Sequence, residues 1–223
     1  MQLFLDLQNL IIKNHDRNAF YINDNFYDYK EFAKIISKIR KAIQNKTLET
    51  EKNIGLVVNN DLETYASIVA LWLEGKAYVP ISKEIPKDRN YSIIRQANLN
   101  TIIDSSDIAL FSEYAIIESK KLQDSVINLI PNQVSDSDLV FILFTSGTTG
   151  EPKGVPISRS NLSAFVEAFW TIGFEIDQND KCLQMFELTF DLSVMSYLVP
   201  LLRGACVFTV PDHKIKYSYI YMS

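Results

Sequence analysis

Apolar residues recur at helical spacing in six stretches of the chain. The clearest stretch begins with Asp28 and Glu31, a pair with the spacing of a capping box, and continues with apolar residues on one face up to Ile43. The pattern predicts helices over residues 3–12, 28–45, 61–75, 86–97, 160–172 and 192–203. The apolar face of the 160–172 helix, which includes Phe165, is predicted to be core.

Shorter apolar or β-branched runs lie between these helices and predict strands. The predicted strands cover residues 20–22, 25–27, 54–58, 77–81, 101–103, 115–117, 139–144, 182–186 and 206–210, the first two joined as a hairpin by Asn23 and Asp24. A polar connection is predicted at 123–138 and a loop at 145–156. Strands that alternate with helices imply parallel pairing with crossover helices, so the predicted fold class is α/β with layered, parallel-rich β-sheets.

The composition is that of an ordinary globular protein, with 47% hydrophobic and 22% charged residues in a chain of 223. A chain of this length buries about 70% of its unfolded surface, which is enough for a core without metals or disulfides. The 22 basic and 27 acidic residues give a net charge of -5. Because a protein that contacts many nucleic-acid phosphates usually has a basic excess, we expect no nucleic-acid partner.

Features of secreted, zinc-binding and membrane proteins are not evident in the sequence. Cys182 and Cys206 have no ligand-like spacing to His15 or His213, so neither a structural zinc nor a disulfide is expected. Asp6 interrupts the first apolar stretch, which argues against a signal peptide. No apolar run reaches the roughly 18 residues of a membrane span. We therefore expect a cytoplasmic protein without a membrane partner.

The strongest chemical signal is the segment TSGTTGEPKG at residues 145–154, directly after a predicted apolar strand. Its glycines would let the backbone come close to a ligand, its N–H and hydroxyl groups would surround an anion, and Lys153 would add a charge suited to a phosphate. The segment matches neither the P-loop nor the dinucleotide-binding pattern. From the residues alone, a polar turn and a phosphate loop are equally good interpretations.

Residues 144–155, FTSGTTGEPKGV, resemble the phosphate-loop signature of the adenylate-forming (AMP-binding) enzyme superfamily. Further segments follow in the family's order. Residues 26–32 resemble its "TYxEL" segment, 71–81 resemble "LKAGAAYVPID" and are followed by Pro86 and Arg89, and 156–162 resemble "VSHxNL" with Arg159 in place of the histidine. The resemblance extends from about Phe20 to the last residue.

A second informative segment is LTFDLSVM at residues 188–195. From the residues alone, Asp191 is best interpreted as a helix cap and Phe190 as a core residue. In the amino-acid-adenylating branch of the superfamily, however, the aspartate of "FDxS" binds the α-ammonium group of the substrate. The segment is most similar to that of the D-alanine–carrier protein ligases, so the resemblance assigns substrate binding to Phe190 and Asp191.

The resemblance implies activation of an amino acid with ATP and Mg²⁺, release of pyrophosphate, and transfer to the phosphopantetheine thiol of a carrier protein. It implies that the ATP phosphates are bound by Thr145, Ser146, Gly147, Thr148, Thr149, Gly150 and Lys153. Residues 1–223 would form the N-terminal portion of the large adenylation domain. The rest of that domain and the small domain with the catalytic lysine would lie outside this sequence, so we expect this portion to be inactive alone. An acyl- or aryl-CoA synthetase and a non-catalytic binding remnant remain alternatives.

Overall fold

The computed structural model describes residues 2–146 and 151–211, which contain six α-helices and ten β-strands. The helices are α1 (Gln2–Lys13), α2 (Tyr29–Lys46), α3 (Leu62–Leu73), α4 (Lys87–Gln96), α5 (Arg159–Thr171) and α6 (Asp191–Leu201). The strands are β1 (Asn18–Ile22), β2 (Asn25–Asp28), β3 (Asn53–Val57), β4 (Ala77–Ile81), β5 (Thr101–Asp104), β6 (Ala115–Glu118), β7 (Leu139–Ser146), β8 (Pro152–Ser158), β9 (Lys181–Gln184) and β10 (Cys206–Thr209). None of the helices in these ranges has the length and apolar character that a membrane crossing requires.

The strands form two mixed, parallel-rich sheets. The six-stranded sheet has the order β6-β5-β3-β4-β7-β8, and every pair in it is parallel except β7 with β8. The four-stranded sheet has the order β2-β1-β10-β9, in which only β2 is antiparallel to its neighbour. The α/β class and the parallel-rich layering predicted from the sequence are therefore confirmed.

Local sequence signals account for the predicted start of α2 and the hairpin before it. The Asp28 carboxylate accepts from the Glu31 backbone N–H at 2.6 Å, and the Glu31 carboxylate accepts from the Asp28 N–H at 3.0 Å. This reciprocal pair satisfies two N–H groups that the first helical turn leaves free. Asn23 and Asp24 both have positive φ, 49° and 65°, which suits the tight turn between twisted strands.

The main core packs around α3 and includes residues of both sheets and of α1, α2, α5 and α6. Trp72 of α3 is fully buried, and its indole N–H donates to the Val140 carbonyl of β7 at 3.0 Å. The Tyr78 hydroxyl of β4 lies 3.2 Å from the Tyr197 hydroxyl of α6. The first bond joins α3 to β7 and the second joins β4 to α6, and β4 pairs with β7 in the same sheet.

Arg159, which stands where the "VSHxNL" segment has a histidine, is a core residue at the start of α5. Its guanidinium lies 4.2 Å from the centre of the Phe4 ring and donates to the Trp72 carbonyl. Burial lowers the pKa of Arg159 to about 10, although the negative charge of Asp138 opposes this shift. The side chain therefore remains charged at neutral pH and joins α1, α3 and α5.

The prediction of a loop at 145–156 is wrong, because most of these residues belong to two paired strands. β7 extends to Ser146 and pairs with β8, which begins at Pro152. Gly154 permits the close pairing, since a Cβ atom there would lie 3.0 Å from the Phe144 ring. Glycine and proline conceal this strand in the sequence, and proline is tolerated in it because β8 is the edge of the sheet.

Candidate active-site cleft

A cleft of about 880 Å³ surrounds the end of the β7–β8 hairpin. Its other walls are the segment that enters α4, the first two turns of α5, and residues 187–195 at the start of α6. In open α/β sheets ligands bind beyond the carboxyl ends of the parallel strands, and β7 ends at this cleft. The position and size of the cleft are those of a small-molecule site.

The wall that β7 and β8 contribute changes from apolar to polar toward the end of the hairpin. Residues that lie directly opposite one another on antiparallel strands share a face of the sheet. Leu143 is opposite Val155, and one step further along the same face Thr145 is opposite Lys153. Thr145 and Lys153 are both exposed, and the Thr145 hydroxyl donates to the Lys153 carbonyl at 3.4 Å. The polar pair therefore lies at the rim of an apolar wall.

The predicted phosphate-binding residues lie at or next to this rim as far as they are described. Thr145 borders the cleft directly. Ser146 is the last residue of β7 and pairs with Pro152. Lys153 belongs to β8 rather than to a loop. Gly147, Thr148, Thr149 and Gly150 lie outside the described residues.

The start of α6 brings Asp191 and Phe190 to another wall of the cleft. Phe190 occupies the N-cap position with extended backbone angles, and Asp191 is the first residue of the helix. The Asp191 carboxylate accepts only from the adjacent Leu192 N–H, at 2.9 Å, and it is exposed. Phe190 is 59% exposed to the cleft. The interpretation of Asp191 as a helix cap and of Phe190 as core is therefore wrong on both points.

Several residues of the cleft have no role in the sequence-based site. Phe165 of α5 is 41% exposed and borders the cleft, so the prediction that this whole helical face is core is wrong. Glu187 and Asn161 also border it. Arg89 of α4 was visible in the sequence only as part of a resembling motif. Periodicity identifies the apolar character of such positions, but it does not distinguish the core from an apolar cleft.

Three charged side chains of the described residues border the cleft. They are those of Arg89 on the α4 side and of Glu187 and Asp191 on the α6 side. Within the described ranges, Asp191 has neither an ion pair nor a hydrogen bond to a cationic side chain. No group of three or more histidine, cysteine, aspartate or glutamate side chains in those ranges is placed to hold a metal ion. A carboxylate without a counter-ion beside apolar walls is suited to a cationic group of a ligand.

An apolar cleft at the strand ends of a parallel-rich sheet, with the Asp191 carboxylate on one wall and the Thr145 hydroxyl on another, defines an α/β ligand-binding protein. The chain belongs to the AMP-binding enzyme family, whose model matches residues 11–219. This match includes both cleft walls and the glycine-rich segment between β7 and β8.

Individual relatives agree with this assignment. The chain is 24% identical to tyrocidine synthase 1 of Brevibacillus parabrevis over 90% of its own length and 19% of that protein. It is 32% identical to a D-alanine–D-alanyl carrier protein ligase of Streptococcus pyogenes over 67% of its length and 30% of the ligase. Thus it spans less than a third of either curated relative.

The fold is also that of a solved adenylation domain. The crystal structure of the Vibrio cholerae adenylation domain AlmE, in complex with glycyl-adenosine-5′-phosphate, superposes with a TM-score of 0.83 at 18% identity. The match covers 99% of this chain and 47% of that one. The chain therefore has the fold of about half of that solved adenylation domain.

Proposed function

We propose that this chain contributes to the ATP-dependent activation of an amino acid to an aminoacyl-adenylate, with release of pyrophosphate. The single observation that carries the proposal is that Thr145 and Asp191, which come from different elements, border the same cleft. One wall thus offers the Thr145 hydroxyl beside the predicted phosphate loop, and another offers the Asp191 carboxylate. A nucleotide and an amino acid would be brought together between them.

The family relationship supports this proposal. One relative is a ligase named for D-alanine and a carrier protein, and the adenylation domain with the same fold holds a glycyl-adenylate. We therefore also propose transfer of the activated amino acid to a phosphopantetheine thiol of a carrier protein. Because the chain spans 19% and 30% of the two curated relatives, the complete reaction is proposed for the whole protein. We further propose a cytoplasmic location.

On the phosphate side, Thr145, Ser146 and Lys153, with residues 147–150, are proposed to bind the β- and γ-phosphates of ATP. Adenylation brings a carboxylate toward a phosphate, so N–H donors and cations must reduce the repulsion between two anions. Mg²⁺ would supply further positive charge, and it commonly takes substrate phosphates and water as most of its ligands. Binding of Mg²⁺ together with ATP is part of the proposal.

On the substrate side, Asp191 is proposed to pair with the α-ammonium group of the amino acid, beside Phe190. At ~4 Å such a pair is worth about 4 kcal/mol at an effective dielectric constant near 20. Leu143 and Val155 add apolar lining to the same cleft. Positioning of the two substrates would supply most of the catalytic effect, because little covalent chemistry falls to the protein.

The apolar lining of the cleft favours one other candidate, an acyl- or aryl-CoA synthetase. Such an enzyme would bind an apolar acid against Leu143, Val155 and Phe165 and would have no cation for Asp191 to bind. The two candidates are separated by the acid that supports pyrophosphate exchange into ATP. In the complete gene product, we expect exchange with small amino acids and none with fatty or aryl acids. Equal exchange with an acid that lacks the amino group would overturn the proposal.

A further inference from the structure

We propose that Arg89 is an anion-binding residue of the cleft and takes a phosphate group of the ligand. The inference rests on the proposed function, because two phosphate-bearing ligands would enter the cleft in that reaction. One is ATP, and the other is the phosphopantetheine arm of a carrier protein. The shared chemistry is a phosphate oxygen pair opposite a guanidinium.

Arg89 borders the cleft and has no partner of its own among the described residues. It lies in the first turn of α4, is half-buried, and lines the cleft together with Ile85, Ile93 and Phe144. Across residues 2–146 and 151–211, its side chain makes neither a hydrogen bond nor an ion pair. Its five N–H donors are therefore available to a bound group.

The local environment does not explain a positive charge at this position. Arg89 is the third residue of α4, where the helix dipole favours negative side chains and disfavours positive ones. Its apolar neighbours also disfavour a charge, because they reduce its hydration. Residues that go against local helix preferences are a common feature of functional sites. A ligand anion would supply the counter-charge that the described residues do not.

The nearby carboxylates do not neutralise the charge of Arg89. Asp88 is adjacent in sequence, and Glu151 accepts from the Ser92 hydroxyl at 3.1 Å, one turn further along α4. In the described part of the chain neither forms an ion pair with Arg89. Phe144, which also borders the cleft, alternates to the opposite face of the hairpin from Thr145, so the cleft reaches both faces of the hairpin end. Arg89 and Thr145 both border this cleft.

The test compares Arg89→Gln and Arg89→Lys with Arg95→Gln, a matched control on the exposed part of the same helix. Titration calorimetry on the 223-residue chain would use two probes, MgATP and 4′-phosphopantetheine. We expect Arg89→Gln to weaken binding of one probe by about tenfold to hundredfold, as for a lost charged hydrogen bond. Arg89→Lys should lose less, and Arg95→Gln should bind as the wild type does.

The probe that loses affinity identifies the source of the phosphate, ATP in one case and the carrier arm in the other. The melting temperature of Arg89→Gln should be unchanged or higher, because an unfavourable charge is removed from the start of α4. Equal affinity of Arg89→Gln and wild type for both probes would overturn the inference, as would equal losses in Arg95→Gln. Absence of binding of both probes to the wild type would also overturn it. Failure of the proposed function would be seen in a separate experiment, as absence of amino-acid-dependent pyrophosphate exchange by the complete gene product.

Discussion

The hydroxyl groups of Tyr78 and Tyr197 lie 3.2 Å apart in the core and join β4 to α6. Both side chains are fully buried, and burial raises the pKa of each well above its ordinary value, so both are neutral. Since α6 begins with Asp191 and β4 lies beside β7, this contact holds the two walls of the cleft in a fixed relation.

Removal of one of these hydroxyls is expected to destabilise the protein. Tyr197→Phe leaves the Tyr78 hydroxyl buried without its partner, which should cost about 1 to 3 kcal/mol in the free energy of unfolding. The double variant Tyr78→Phe with Tyr197→Phe should cost less than the sum of the two single variants, because no orphaned hydroxyl remains. Urea denaturation measures all three. Strictly additive losses would show that the hydroxyl pair has no energetic coupling.

A second prediction compares the contributions of Asp28 and Asp191 to stability. Asp28 accepts from a backbone N–H three residues ahead, so Asp28→Ala should cost about 1 kcal/mol, within a usual range of about 0.5 to 2. Asp191 follows the cap position and bonds only to its neighbour, so Asp191→Ala should cost less than about 1 kcal/mol. Thermal unfolding of the two variants tests the order. A larger loss for Asp191→Ala would restore its role as a structural cap.

A third prediction separates core from cleft on α5. Leu162 is 2% exposed and Phe165 is 41% exposed. Leu162→Ala should therefore destabilise by about 2 to 5 kcal/mol, as core truncations do. Phe165→Ala should cost well under half as much, because much of the ring already faces solvent in the cleft. Similar losses for both variants would indicate that Phe165 is part of the core after all.

Much of the fold follows from local patterns in the sequence. The spacing of apolar residues and the caps at Asp28 and Asp61 predicted helices that the structure contains within a few residues. β8 was missed because its pairing with β7 depends on a partner strand and not on its own composition. Phe165 was misassigned because an apolar cleft and a core impose the same periodicity. The grouping of Thr145, Asp191 and Arg89 depends on sheet order, which a single sequence does not display.

Recognition of the amino acid's ammonium group by Asp191 is central to the proposed function. The most direct measurement is the KM for the amino acid in pyrophosphate exchange by the complete gene product, compared between Asp191→Asn and the control Glu187→Gln. Both variants remove one negative charge from the cleft, but only the first removes the proposed partner.

For Asp191→Asn we predict a loss of about 30-fold to several-thousand-fold in apparent affinity for the amino acid, from about 2 to 5 kcal/mol. The KM for ATP should change little, and Glu187→Gln should retain most of its exchange activity. Normal exchange by Asp191→Asn, with an unchanged KM for the amino acid, would contradict the proposed role of Asp191.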